Sequence, residues 1–152
     1  MARGTSVTEP ARDGGGLLQS VVAVIGGVFV GAVCSMGTDA VLRAIKVLPS
    51  AGAPMTAALF AVAAGHRAVW TVVGSLVAGR IGGARPMLHA MIVGGLNLFA
   101  NGAGTLATWH RGPELGPKWY PITLTLLALP CAWLGGRLAA RGRTGPRAEG
   151  PP

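Results

Sequence analysis

The chain has 152 residues, of which 12% are charged and 51% hydrophobic, and its formal net charge is +8. Soluble domains usually carry about 25% charged residues, so this composition and a mean hydropathy of +0.52 argue against a soluble fold. In a soluble protein the basic excess would suggest nucleic-acid binding. Here most basic residues flank apolar stretches, so we expect anionic lipid headgroups at the cytoplasmic face as partners, and no nucleic acid.

Four apolar stretches are each long enough to cross a bilayer as a helix of roughly 20 residues. The first carries no charge and is longer than the apolar core of a cleaved signal peptide, about 7–15 residues, so we expect a retained helix. The sequence predicts an all-α polytopic membrane domain over residues 17–138, with flexible polar tails at 1–16 and 139–152. The predicted spans are about residues 17–38, 54–79, 87–109 and 119–138.

Basic residues are distributed unevenly between the two sides of this arrangement. Four spans place both termini on one side, which then carries eight basic residues against four on the other. The two sets are Arg3, Arg12, Arg80, Arg85, Arg137, Arg141, Arg143 and Arg147 against Arg43, Lys46, Arg111 and Lys118. The positive-inside rule therefore predicts an antiparallel four-helix bundle with both termini in the cytoplasm. Trp109, Trp119 and Tyr120 flank the outer turn, as an interfacial aromatic belt would.

The second stretch contains two residues that do not suit a membrane interior. His66 and Arg67 have about twelve uncharged residues on either side, so Arg67 is predicted to lie near the bilayer centre. A charge at that depth costs roughly 2.5–3.5 kcal/mol unless it finds a partner, reaches the interface or sits in water. We therefore expect neighbouring helices to turn their few polar groups toward Arg67.

Three polar residues are candidates for that role. Asn97 and Asn101 lie one helical turn apart on the same face of the third span, at the predicted depth of Arg67. Asp39 begins a segment that is either a loop or an extension of the first helix. It is predicted to lie roughly 7 Å outward of Arg67, within reach of a long side chain. Our hypothesis is a buried polar network formed by Asp39, His66, Arg67, Asn97 and Asn101.

Two functions are compatible with such a network. With a counter-ion present, a structural latch is the favoured interpretation, whereas intramembrane charges also occur in ion and substrate pathways. The inner half of the predicted bundle is mostly apolar, which fits a blind pocket better than a channel. The sequence thus predicts an integral inner-membrane protein with a structural or accessory role. The alternative is a small transporter or channel for an ion or small polar molecule that uses Arg67, His66, Asp39 and the stripe of Asn97 and Asn101.

Motifs of catalysis or cofactor binding are missing from the sequence. It has no nucleophile–base pattern, carboxylate pair, Walker loop or dinucleotide fingerprint, so we expect no enzyme and assign no catalytic residue. The two cysteines have no metal-site spacing. The histidines are predicted at different depths, so no two of them would hold a haem between them. We expect neither a metal nor another cofactor.

Small residues recur every four positions in the first span, at Gly27, Gly31 and Ser35. On a helix this spacing makes a flat strip against which a neighbouring helix can pack closely. Glycine strips of this kind also suit self-association. A homo-oligomer or a membrane partner protein is therefore part of the expectation.

Four further stretches stand out as a set: residues 37–39 (GTD), 85–90 (RPMLHA), 112–121 (GPELGPKWYP) and 129–136 (LPCAWLGG). Together they resemble a family of small, uncharacterised bacterial membrane proteins with four helices. The resemblance extends over about residues 17–138. It implies a bacterial inner membrane as the location and the same four-span topology, and it implies no activity.

Overall fold

The computed structural model describes residues 14–49, 53–110 and 117–142, and its secondary structure there is entirely helical. The four helices are α1 (Gly14–Ala44), α2 (Ala57–Ile81), α3 (Pro86–Thr108) and α4 (Trp119–Arg141). Each is long and apolar enough to cross a membrane. The predicted all-α fold with four candidate membrane spans is therefore confirmed.

Helix α1 is longer than the span predicted for it. It runs through Asp39 to Ala44, so the segment that was either a loop or an extension is an extension. Lys46 ends it in the left-handed region at φ 60°. The Lys46 N–H donates to Arg43 O at 3.0 Å and the Val47 N–H to Leu42 O at 2.9 Å, the two bonds of a Schellman motif. Asp39 therefore lies within a regular helix, which fixes the direction of its side chain relative to the rest of α1.

The other helix ends follow from local chemistry. The Thr56 hydroxyl accepts a hydrogen bond from the Leu59 N–H at 3.4 Å and caps α2. Pro86 begins α3, where its missing N–H is not needed. Pro130 lies inside α4, which nevertheless continues to Arg141. Of the predicted tails at 1–16 and 139–152, residues 14–16 belong to α1 and residues 139–141 to α4. The rest of the tails, except Gly142, and most of the predicted outer turn lie outside the described residues.

Helix α2 is the central helix of the structure, because it contacts each of the other three. It packs against α1, α4 and α3, while α3 packs mainly against α4, and α1 lies mainly against α2. Along the α1–α2 contact, the Gln19 amide donates to Ile81 O at 2.9 Å and Gly27 approaches Gly74. Residue numbers therefore rise along α1 as they fall along α2.

Helices α2 and α4 pack side by side with their numbers rising together. At one end, the Phe60 ring lies 6.5 Å from that of Trp119 and 5.1 Å from that of Tyr120, centroid to centroid. Further along, a methyl group added at Gly135 would lie 2.5 Å from Val72 O. Only glycine permits that approach, so a small residue decides how closely these two helices pack.

In this structure the small apolar side chains are buried and the large ones are exposed, the reverse of the pattern in a soluble protein. The buried hydrophobic residues are mainly alanines, among them Ala23, Ala78 and Ala132, each with 0% exposure. Large apolar side chains such as Phe29 and Phe99 are exposed. Small residues inside and large apolar residues outside are typical of helices that face lipid, since lipid provides no hydrophobic drive to bury large chains.

Candidate functional site

An ion pair joins α1 to α2. Arg67 Nη2 donates to Asp39 Oδ2 at 2.7 Å. The Asp39 side chain is 12% exposed and that of Arg67 42% exposed. A charged donor and a charged acceptor at this distance make one of the stronger hydrogen bonds in proteins. The continuation of α1 beyond Thr38 is what places the carboxylate at this level.

His66 approaches the other oxygen of the same carboxylate. Its Nε2 atom lies 3.1 Å from Asp39 Oδ1, and its side chain is 12% exposed. The direction of this contact does not meet hydrogen-bond geometry, because Nε2 is left without a hydrogen-bond partner, so we treat it as electrostatic. Nδ1 lies 3.2 Å from Val62 O. Both ring nitrogens of His66 therefore lie close to an oxygen atom, one on α1 and one on its own helix.

A second hydrogen bond joins the same two helices. Trp70 Nε1 donates to Thr38 Oγ1 at 2.9 Å, and that hydroxyl donates to Cys34 O at 2.9 Å. Sequence reasoning missed Thr38 and Trp70. The available signal was their position, since Thr38 precedes Asp39 and Trp70 lies three and four residues after Arg67 and His66, on the same helix face.

The two asparagines do not join this cluster. Asn97 Nδ2 donates to Val93 O of its own helix at 3.1 Å. Within the described ranges no hydrogen bond links either carboxamide to Asp39 or Arg67. The hypothesis of one network is thus corrected by the structure. Arg67 turns its bonded end toward α1, and the backbone of α3 satisfies Asn97 locally.

The asparagines instead share a cavity with Arg67. It has a volume of about 140 Å³ and is lined by all four helices. Its polar lining comes from Ser35, Arg67, Thr71, Asn97 and Asn101. Asp39 and His66 are not part of the lining. Arg67 therefore both binds the Asp39 carboxylate and lines the cavity, whereas Asp39 itself is not part of the lining.

The small residues Gly27, Gly31 and Ser35 of α1 have two different surroundings: part of the strip packs against α2 and part of it lines the cavity. Gly27 lies against Gly74 and Ala78, and a methyl group added to it would be 2.5 Å from Gly74 O. A methyl group at Gly31 would lie 3.2 Å from Trp70 O. Ser35, the third residue of the strip, lines the cavity together with Gly31. The strip brings α1 onto α2 and leaves space beside Arg67.

The described residues contain no candidate metal site, and comparison with known proteins identifies no relative. Among residues 14–49, 53–110 and 117–142, no group of three or more His, Cys, Asp or Glu side chains could hold a metal ion. Comparison of the chain with protein-family models, curated proteins and solved structures finds no significant match. Function must therefore be argued from the site itself.

Proposed function

We propose that the chain is a bacterial inner-membrane protein with a structural or accessory role rather than an enzymatic one. In this proposal its helices form an antiparallel four-helix bundle with both termini in the cytoplasm. The cluster of Asp39, His66 and Arg67 fastens α1 to α2, which allows a cation to be carried inside the bilayer. The observation that carries the proposal is the 2.7 Å ion pair between a helix-borne carboxylate and a mid-span guanidinium.

The energetic basis is the difference between a paired and an unpaired charge. Alone, Arg67 would cost roughly 2.5–3.5 kcal/mol at the middle of a span. With Asp39, that cost is offset by Coulomb attraction and a charge-assisted hydrogen bond. Helix α1 has few other polar groups facing α2, so the pair selects one rotation and one depth for α1. A latch of this kind gives specificity more than net stability.

The distribution of charge and aromatic rings supports the orientation. Arg80 and Arg141 end α2 and α4 on the side assigned to the cytoplasm. At the opposite end, Lys118 lies 5.0 Å over the Trp109 ring, next to the cluster formed by Phe60 and Tyr120. More cations on one side and an aromatic belt on the other agree with the positive-inside rule.

A charge swap tests the latch. The double variant Asp39→Arg/Arg67→Asp keeps opposite charges facing each other, whereas each single change places two like charges together. We expect the single variants to lose monodisperse protein in detergent, measured by size-exclusion chromatography, and the double variant to recover most of it. Equal yields of parent, single and double variants would remove the latch from the proposal.

The cavity supports a second candidate, a small transporter or channel for an ion or small polar molecule. Arg67 faces that cavity from mid-span, and charged residues so placed often mark substrate pathways. Flux into proteoliposomes, measured for the parent and for Arg67→Ala, separates the two candidates. Flux that depends on Arg67 would favour the transporter, and absence of flux in both proteins removes it.

A further inference from the structure

The cavity beside Arg67 has the size of a small organic molecule. A protein cavity of about 150 Å³ admits a ring of six carbon atoms, and this one measures about 140 Å³. Side chains from all four helices line it, so its shape depends on the assembled bundle. An occupant of about six non-hydrogen atoms matches that volume.

The walls of the cavity differ in polarity. Part of the lining is polar and comes from Arg67 of α2 and from Asn97 and Asn101 of α3. The apolar part of the lining consists of aliphatic side chains of α1 and α4, among them Ala32 and Leu124. A molecule that matches both parts of the lining has one polar or charged end and a short apolar body.

The positive charge of Arg67 determines which polar group a ligand in the cavity would carry. Arg67 lines the cavity, while the carboxylate that balances it lies outside the lining, so an occupant is exposed to a cation. One guanidinium nitrogen binds Asp39, and within the described part of the chain the remaining N–H groups of Arg67 have no hydrogen-bond partner. A carboxylate accepts two parallel N–H bonds from such a fork, whereas an ammonium group would be repelled.

The remaining polar groups fit the same ligand. Asn101 lines the cavity and its carboxamide makes no side-chain hydrogen bond among the described residues, so its N–H₂ can donate. The Thr71 hydroxyl already donates to Arg67 O at 2.9 Å and can only accept further. Because Asp39 already neutralises Arg67, a doubly charged anion would add two negative charges inside the bilayer, whereas a monocarboxylate adds one.

We propose that this cavity binds a small monocarboxylate, with its carboxylate on Arg67 and Asn101 and its short alkyl chain against Ala32 and Leu124. This site is additional to the latch. It uses the N–H groups of Arg67 that do not bind Asp39, and it requires no transport. Ligand binding and helix fastening can therefore fail separately.

Butyrate, which has six non-hydrogen atoms, is the probe. Radiolabelled butyrate is dialysed to equilibrium against the full chain in nanodiscs of zwitterionic lipid, with empty nanodiscs as the blank. We expect saturable binding of about one butyrate per chain with a Kd of about 1 mM. Its neutral isostere butyramide and the inorganic anion chloride should compete at least about tenfold more weakly. Competition by octanoate should also be weaker, because its chain exceeds the cavity.

Variants locate the binding. Arg67→Gln should abolish saturable binding, and Arg43→Gln, which removes an exposed arginine at the end of α1, should leave the Kd unchanged. Because Arg67→Gln also breaks the latch, Ala32→Leu provides an independent arm. Ala32 lines the cavity from an exposed position on α1 and takes no part in the ion pair, so we expect leucine there to reduce the cavity volume. Binding should then be lost while the size-exclusion profile stays that of the parent.

Several results overturn the assignment. They are no saturable binding, butyramide as tight as butyrate, full binding in a folded Arg67→Gln variant, or full binding in Ala32→Leu. Octanoate tighter than butyrate would show a site for membrane fatty acids, and would equally overturn the assignment to a small carboxylate. None of these outcomes affects the charge-swap test, so the site and the latch are judged independently.

Discussion

Replacing Asp39 by Asn should leave the Arg67 charge inside the bilayer without a counter-ion. Asn keeps the shape of the side chain and removes its charge, so the guanidinium loses its counter-ion. Two unit charges about 4 Å apart attract by about 4 kcal/mol at an effective dielectric constant near 20. Desolvation of the pair, and the 42% exposure of the Arg67 side chain, reduce the net value. We expect a coupling energy of about 2 kcal/mol, or about a thirtyfold change in the folded-to-unfolded ratio.

A double-mutant cycle isolates that coupling. The parent, Asp39→Asn, Arg67→Gln and the double variant are unfolded reversibly in mixed micelles with increasing dodecyl sulfate, followed by far-ultraviolet circular dichroism. Both single variants should be less stable than the parent and the double variant, because each leaves one charge without its partner. The double variant should lie within about 1 kcal/mol of the parent, since removal of both charges also removes their desolvation cost.

The neighbouring hydrogen bond provides a matched control cycle. Trp70→Phe and Thr38→Val remove the bond between Trp70 Nε1 and Thr38 Oγ1, which joins the same two helices without charge. Neutral interhelical hydrogen bonds in membranes contribute about 0.6 kcal/mol on average. A coupling between positions 39 and 67 no larger than this control would refute the assignment of the ion pair as the dominant contact.

Three further predictions follow from the packing and the topology. Gly27→Ala should cost about 1–3 kcal/mol in the same unfolding assay, because its methyl group meets the α2 backbone, whereas Gly95→Ala, which has nothing within 4 Å, should be neutral or stabilising. A destabilised Gly95→Ala would contradict the packing. Lys46→Gly should raise stability by about 0.5–1 kcal/mol, since glycine adopts φ 60° without strain; a loss would contradict the helix end described. In a background without the native cysteines, Arg85→Cys should react with an impermeant maleimide from the cytoplasmic side and Lys118→Cys from the periplasmic side, and the reverse pattern would invert the proposed orientation.

The fold was accessible from sequence because the bilayer constrains it strongly. Long apolar stretches separated by Gly, Pro and charged residues have few structural alternatives in lipid. The four spans therefore appear close to their predicted positions. Helix ends were less predictable. No glycine marks the end of α1, and the left-handed Lys46 that ends it is a residue type seldom found in that conformation.

The site was predictable by charge and less so by geometry. Arg67 needs a counter-ion, and Asp39 was the acid within reach, so this contact follows from electrostatics. The direction of the asparagines could not be predicted in the same way. A carboxamide on a helix can bond to the backbone of its own preceding turn, as Asn97 does with Val93 O, and sequence spacing does not reveal that choice. The cavity likewise arises from how four surfaces fit together.

The order of the ion pair along the chain has a consequence for synthesis. Asp39 follows an uncharged stretch of α1, Leu17 to Thr38, which is apolar enough to enter lipid by itself. Because synthesis runs from the N-terminus, the Asp39 carboxylate is made before the Arg67 guanidinium that it binds. With the two residues exchanged between helices, the cation would arrive first and wait without a partner. If the helices insert in chain order, α1 would therefore provide the counter-ion before the Arg67 cation arrives.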